Sequence, residues 1–210
     1  MADTTLSARF YRLLLDLPCH PRPADAVGDA LALLAGLTRA CIAYVELYND
    51  QGVAGFSRAH GVVDHDLEVV RGAISRGIIG HALTCGETIA SASAVHDKRF
   101  KALGSVQQHQ TAAVLCSPIG LGDGVVYLQG RNDARTFELH DREDVVLFAR
   151  QLAPMTLWLV DGRPTFVKQM QTRKRQVIAE ALYRNEGNVT AAARDLGVGR
   201  ALVHRVMRRT

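Results

Sequence analysis

A chain of 210 residues with 48% hydrophobic content can bury one full core and a small satellite, and no stretch of it is apolar enough to read as a membrane span. Arg9, Arg12 and Asp16 interrupt the apolar residues of the N-terminus, which argues against a signal peptide and for a cytoplasmic setting with no membrane partner. The net charge of +4 is unevenly placed: residues 161–210 hold eleven Lys and Arg against four Asp and Glu (+7), whereas residues 1–160 hold fourteen against seventeen (−3). Cys19, Cys41, Cys85 and Cys116 lie far apart with no C-x-x-C pair, and the eight histidines are scattered. Reduced, mostly buried thiols are therefore expected, with no metal and no cofactor.

In chain order, residues 5–17 set Leu6, Phe10, Leu13, Leu14 and Leu17 on one helical stripe, and Pro18, Pro21 and Pro23 then break the chain. Residues 24–40 give a second amphipathic helix through Val27, Leu31, Leu34 and Leu37. Alternation over 41–48, a turn at 49–52 and a return over 53–61 predict a β-hairpin. Residues 64–84 look helical with a hinge near Gly77 and Gly80, 88–93 read as a short strand, and 98–108 as a short helix or loop. A second hairpin is expected from 111–119 and 125–131 around a Gly-rich turn, closed by a long helix over 141–160. The order describes an α+β fold, an antiparallel sheet flanked by helices.

The stretch SRGIIGHALTCGETIASASAVHDKRF carries Gly77, Gly80, Ala82, Gly86, Glu87 and Ile89, then Asp97, Arg99 and Phe100. It resembles the G-x-x-G-x-A-x-x-x-G-(E/K)-x-(I/V) and D-x-R-F segments of the GAF sensory domain, over about residues 24–160. The resemblance implies a pocket over one sheet face, roofed by the middle helices, and frequently a dimer through the first and last helices. Ala94-Val95-His96 departs from the family, where a carboxylate often precedes the loop. By alternation Tyr44, Ser91, Cys116, Tyr127 and Gln129 would project into that cavity, with His81 reaching in from the middle helix, as polar fixtures of an apolar ligand site. The same tyrosines and Cys116 serve equally as core or interface residues, and His81 as a satisfied or exposed helix residue.

From Arg173 three apolar-periodic segments are separated by two short breaks. Ile178, Ala181 and Leu182 face inward from the first; Ala192, Ala193 and Leu196 from the second; Val203, Val206 and Met207 from the third. Gly187 falls where a helix needs a left-handed C′ residue, Asn188 or Thr190 can cap the next helix, and Gly197 ends it. Paired alanines let two helices cross closely, which makes a helix-turn-helix. A small basic module on a mildly acidic body points to nucleic acid. Arg205, Arg208 and Arg209 would also serve as a solvated helix end, and the break pattern decides for DNA.

The string GNVTAAARDLGVGRALVHR resembles the Fis-type helix-turn-helix that closes many bacterial enhancer-binding regulators, matching at Gly187, Asn188, Ala192, Ala193, Leu196, Gly197, Val198, Arg200 and Arg205. The resemblance implies that Asn188 and Thr190 touch phosphates of double-stranded DNA, and that Arg200, His204 and Arg205 line the groove-facing side of the recognition helix, with Gly199 at its start and Arg208 near its end. Gly199 replaces the family's Ser or Asn cap, and Leu202 its Thr.

No G-x-x-x-x-G-K-[ST] and no G-x-S-x-G is present, so neither the AAA+ ATPase of enhancer-binding activators nor a hydrolase is expected, and no catalytic residue is assigned. The expected division is an N-terminal helix and Pro-rich break (1–23), a GAF-like sensor (24–160), a linker (161–171) and a helix-turn-helix domain (172–210). The reading is a sequence-specific transcriptional regulator, a homodimer pairing through the 5–17 stripe and the 148–159 helix with Trp158, open to a small-molecule effector. Such an effector would act through the spacing of the two readers, about 34 Å apart, and a flexible insertion after Gly162 would uncouple them. The alternatives are an interaction module that modulates another regulator with weak DNA binding, or a methionine sulfoxide reductase on a GAF fold using Cys85 and Cys116.

Overall fold

The computed structural model describes residues 2–61, 72, 74–108, 111–131, 135–162 and 166–207. Helix α1 (Ala2–Asp16) runs through a 3-10 turn at Leu17–Cys19 toward α2 (Pro23–Thr38). Strands β1 (Ala40–Tyr48) and β2 (Ala54–His60) follow, then α3 (Arg76–Cys85), β3 (Ile89–Ser91) and the short α4 (Gly104–Gln108). Strands β4 (Val114–Ile119) and β5 (Gly124–Arg131) lead to α5 (Leu139–Leu152) and α6 (Thr156–Asp161). The sheet is antiparallel throughout, in the order β2-β1-β5-β4-β3.

Period-two alternation splits the sheet into two dry faces. Ala43, Val45, Leu47, Leu115, Ile119, Val126 and Leu128 meet α1, α2 and α5, whereas Tyr44, Val114, Cys116, Val125 and Tyr127 meet α3 and the 94–106 segment. Central strands buried on both sides explain why β1 and β5 read as almost continuous apolar runs. The expected α+β architecture is present. The stripe of α1 docks within its own chain: Phe10, Leu14 and Leu17 are buried, and the Phe10 ring lies 6.3 Å from that of Phe148. Its apolar residues are thereby consumed by the fold and not left for a partner.

Several sequence expectations change. The 141–160 helix is two helices, because Pro154 lacks an amide hydrogen and the chain passes through a 3-10 turn at Ala153–Met155. The hinge expected at Gly77 and Gly80 is a continuous helix, started by Ser75, whose Oγ accepts the Ile78 amide, and ended by left-handed Gly86. Gly77 is needed for close packing, since a Cβ there would sit 2.6 Å from Leu103 Cδ1. The earlier part of the expected 64–84 helix lies outside the described residues, apart from Gly72 and the Ile74–Ser75 approach. The cysteines are mostly exposed: Cys19, Cys41 and Cys85 are open and only Cys116 is buried.

After Gly162 the chain is helical again from Phe166, so most of the expected 161–171 linker is the start of α7 (Phe166–Arg184). Helices α8 (Val189–Asp195) and α9 (Arg200–Met207) complete the tail. Ile178, Ala181, Leu182, Ala192, Ala193 and Val203 form a separate small core, flanked by Val189, Leu196, Val198 and Val206. Met207, expected inside, is 37% exposed.

Candidate nucleic-acid interface and sensor face

The local chemistry of the two breaks fixes the tail. At the end of α7 the Gly187 amide donates to the Leu182 carbonyl (2.8 Å) and the Glu186 amide to the Tyr183 carbonyl (3.2 Å), a Schellman arrangement. The left-handed C′ residue is Glu186 (φ 52°), with Gly187 (φ 79°) following it, one position away from the sequence expectation. Asn188 caps α8, its Oδ1 accepting the Thr190 and Ala191 amides at 3.1 Å each. A second Schellman arrangement ends α8: the Val198 amide reaches the Ala193 carbonyl (2.9 Å) and left-handed Gly197 the Arg194 carbonyl (3.1 Å). Arg184 pairs with Asp195 at 3.1 Å and ties α7 to α8.

This geometry leaves one face of α9 free. Val203 is buried, while Arg200, Ala201, His204 and Arg205 are exposed on the opposite side at i, i+1, i+4 and i+5 spacing. Gly199 leads into the helix through its carbonyl, which accepts the Leu202 amide (2.9 Å). Asn188 and Thr190 are exposed at the entry to α8. Arg208 lies outside the described residues. Two arginines and a histidine on one convex helix face, with short polar residues beside them, suit phosphate and base-edge contacts in a major groove.

On the sheet, Tyr44, Cys116 and Tyr127 are cross-strand neighbours in one row, and Ser91 and Gln129 flank Val114 in the next, all on the α3 face. That face is packed, and its polar atoms serve one another. Tyr127 donates to Gln129 Oε1 (2.8 Å) and accepts the Ser75 amide (3.3 Å). Ser91 turns to the loop and donates to Asp97 Oδ2 (2.9 Å). The Arg99 side chain donates to both oxygens of Asp97, Nε to Oδ1 (3.1 Å) and Nη2 to Oδ2 (2.7 Å), and holds that carboxyl far below the ordinary carboxylate range. His81 lies outside this group: it is exposed, stacks edge-on against Phe100 (5.4 Å between centroids) and lies 3.6 Å from Cys85 Sγ. Burial pushes the Cys116 thiol up, which leaves it inert.

Sequence reading missed the strongest polar feature of this face. Glu46, 1% exposed, accepts from the Tyr44 hydroxyl (2.8 Å), the Tyr48 hydroxyl (2.9 Å) and Arg76 Nη1 (2.6 Å). Burial opposes its ionisation, but these three donors outweigh it and hold the carboxyl below its usual range. The signal was present: Tyr44, Glu46 and Tyr48 alternate, so a charge stands on a face otherwise made of buried groups. Arg76, thirty residues on, could be joined to them only by the fold.

Among the described residues no group of three or more His, Cys, Asp or Glu side chains is placed to hold a metal ion, and no helix is long and apolar enough to cross a membrane.

Residues 23–154 match the family model of the GAF domain, and residues 174–209 that of the bacterial regulatory protein, Fis family. Among solved structures, the GAF domain of an Acinetobacter phosphoenolpyruvate-protein phosphotransferase superposes with a TM-score of 0.54 at 15% identity, covering 74% of this chain and 94% of that one. The GAF domain of a phosphoenolpyruvate-protein phosphotransferase from Coxiella burnetii gives 0.52 at 16% identity, over 74% and 96%. At these identities the likeness is one of fold. No curated protein matched the sequence.

Proposed function

The chain belongs to the GAF domain family and carries a Fis-family helix-turn-helix, which makes it a DNA-binding regulator with a GAF module, and we propose that it reads a specific, two-fold-symmetric operator as a cytoplasmic homodimer whose GAF module senses a small molecule. The observation that carries the reading is the face of α9, where Arg200, His204 and Arg205 stand exposed over a buried Val203. One such helix reads too few base pairs, and two related by a dyad address half-sites about one helical turn apart. Asn188 and Thr190 position the module on phosphates while the arginines reach base edges. Residues 155–173, between the two matched regions, leave no room for the ATPase of enhancer-binding activators. Regulation by occupying or competing for a site follows more simply than ATP-driven opening of the promoter.

Selection from random DNA followed by gel shift tests this reading. One recurring palindrome is expected, and Arg200→Ala and Arg205→Ala should each weaken its binding by about 1–3 kcal/mol. Equal affinity of both variants and the parent for the selected site would remove α9 as the reader.

A second reading, an interaction module that modulates another regulator, is favoured by the filled α3 face, where Tyr44, Cys116 and Tyr127 are fully buried. It predicts weak, sequence-blind DNA binding in the same selection. Reduction of methionine sulfoxide is disfavoured, because the Cys116 thiol is buried and pushed up.

A further inference from the structure

At one end of the sheet a cleft of about 300 Å³ opens where α7 meets the GAF module, between the β1–β2 turn, the β4–β5 turn and the start of α6. Both turns are rigidly built. Asn49 Oδ1 accepts the Gln51 and Val53 amides (3.0 and 2.9 Å), and the Tyr48 amide donates to the Asp123 carbonyl (2.9 Å), locking one turn to the other. The Asp123 side chain folds back over left-handed Gly120, where any Cβ would collide with its carboxylate. The result is a fixed acidic platform, with Asp123 largely covered and Asp50 more open.

Arg175 of α7 reaches into this platform, with Nη1 3.3 Å from Asp123 Oδ1 and 3.9 Å from Asp50 Oδ1. Eight residues along the same helix, Arg150 of α5 lies over the Tyr183 ring at 4.5 Å. Between these two points Ile178, Ala181 and Leu182 belong to the core of the tail. One helix therefore presents one side to the GAF module and another to α8 and α9.

We propose that Arg175 is a latch that ties the DNA-reading module to the paired turns of the GAF module, so that the two move as one body and a change at the sheet end is passed to the reader through α7. The linkage runs through side chains and not through the spacing of the chain at Gly162. It rests on the reading of α9 as the DNA-contacting helix only for its effect on operator binding.

The test is pulsed electron-spin distance measurement on the full chain, with nitroxides at Glu87→Cys and Arg194→Cys and with Cys19, Cys41 and Cys85 replaced by serine. Labelled protein is diluted into unlabelled protein so that distances are intramolecular. The parent is expected to give one narrow distribution. Asp123→Asn, which keeps the shape of the turn and removes no basic charge from the reader, should broaden it at least about twofold, as should Arg175→Gln, since domains joined by fewer contacts move more freely. Arg175→Lys should restore most of the narrowness, and a Gly-Ser insertion after Gly162 should leave it unchanged. Asp123→Asn should also lower operator affinity. An unaltered distribution in Asp123→Asn, or broadening by the insertion alone, overturns the latch. If the parent keeps its narrow distribution yet selects no DNA sequence, the regulator reading fails and the latch stands.

Discussion

At Glu46 a carboxylate survives in a nearly dry face because three donors converge on it: the Tyr44 and Tyr48 hydroxyls and the Arg76 guanidinium. Removing the charge while keeping the shape isolates the ionic part. Glu46→Gln is expected to destabilise the GAF module by about 1–3 kcal/mol near neutral pH, the cost of leaving a charged hydrogen bond unmade. Because the folded state lowers this pKa, the stabilisation is complete above the ordinary glutamate range and is lost as pH falls through the lowered native value. Urea melts across acidic pH check it: the gap between parent and variant should close on acidification. A gap that is constant with pH would mean that packing and not charge sets the loss.

Among the elements, α1 shows how an amphipathic stripe finds its use. Phe10, Leu14 and Leu17 recur at helical spacing, and the structure spends them on α2 and on Phe148 of α5; Tyr11, partly exposed, donates its hydroxyl to Asp144 Oδ1 of α5 (2.6 Å), while Leu15 on the far side stays open. Phe10→Ala should cost about 3–5 kcal/mol, since a ring leaves a cavity that neighbouring helices cannot fill. A loss below about 1 kcal/mol in chemical denaturation would indicate that α1 is only loosely held. The helices of the tail obey more local rules. Asn188 and Gly197 were legible as cap and stop because their roles depend on backbone geometry within a few residues. Glu186 in the left-handed region was not, since a glycine next door is the better candidate on sterics alone.

The whole molecule consists of a three-layer GAF module and a three-helix tail with its own core, joined by α7. Its proposed two-fold assembly has to use outward residues, because the inner stripe of α1 is already covered. Among the described residues, Tyr11 and Leu15 on α1, Leu139 on α5 and Trp158 on α6 are the large exposed apolar groups of the first and closing helices. Light scattering on the full chain at micromolar concentration is expected to give the mass of a dimer. A monomer mass under those conditions would count against reading a palindrome by a preformed pair.

The sequence by itself determined most element types, the antiparallel hairpins and most inward residues of both modules, Met207 and His81 excepted, because periods of 2 and 3.6 and the sterics of Gly, Pro and Asn act over a few residues. It placed Arg200, His204 and Arg205 on one helix face for the same reason, since their spacing within α9 is local. Only the tertiary structure decided what the far-apart groups do. Glu46 meets Arg76 thirty residues away, Phe10 meets Phe148, and Asp123 meets Arg175 fifty-two residues on. Those pairings depend on the strand order β2-β1-β5-β4-β3 and on how helices settle over it, and no local period encodes them.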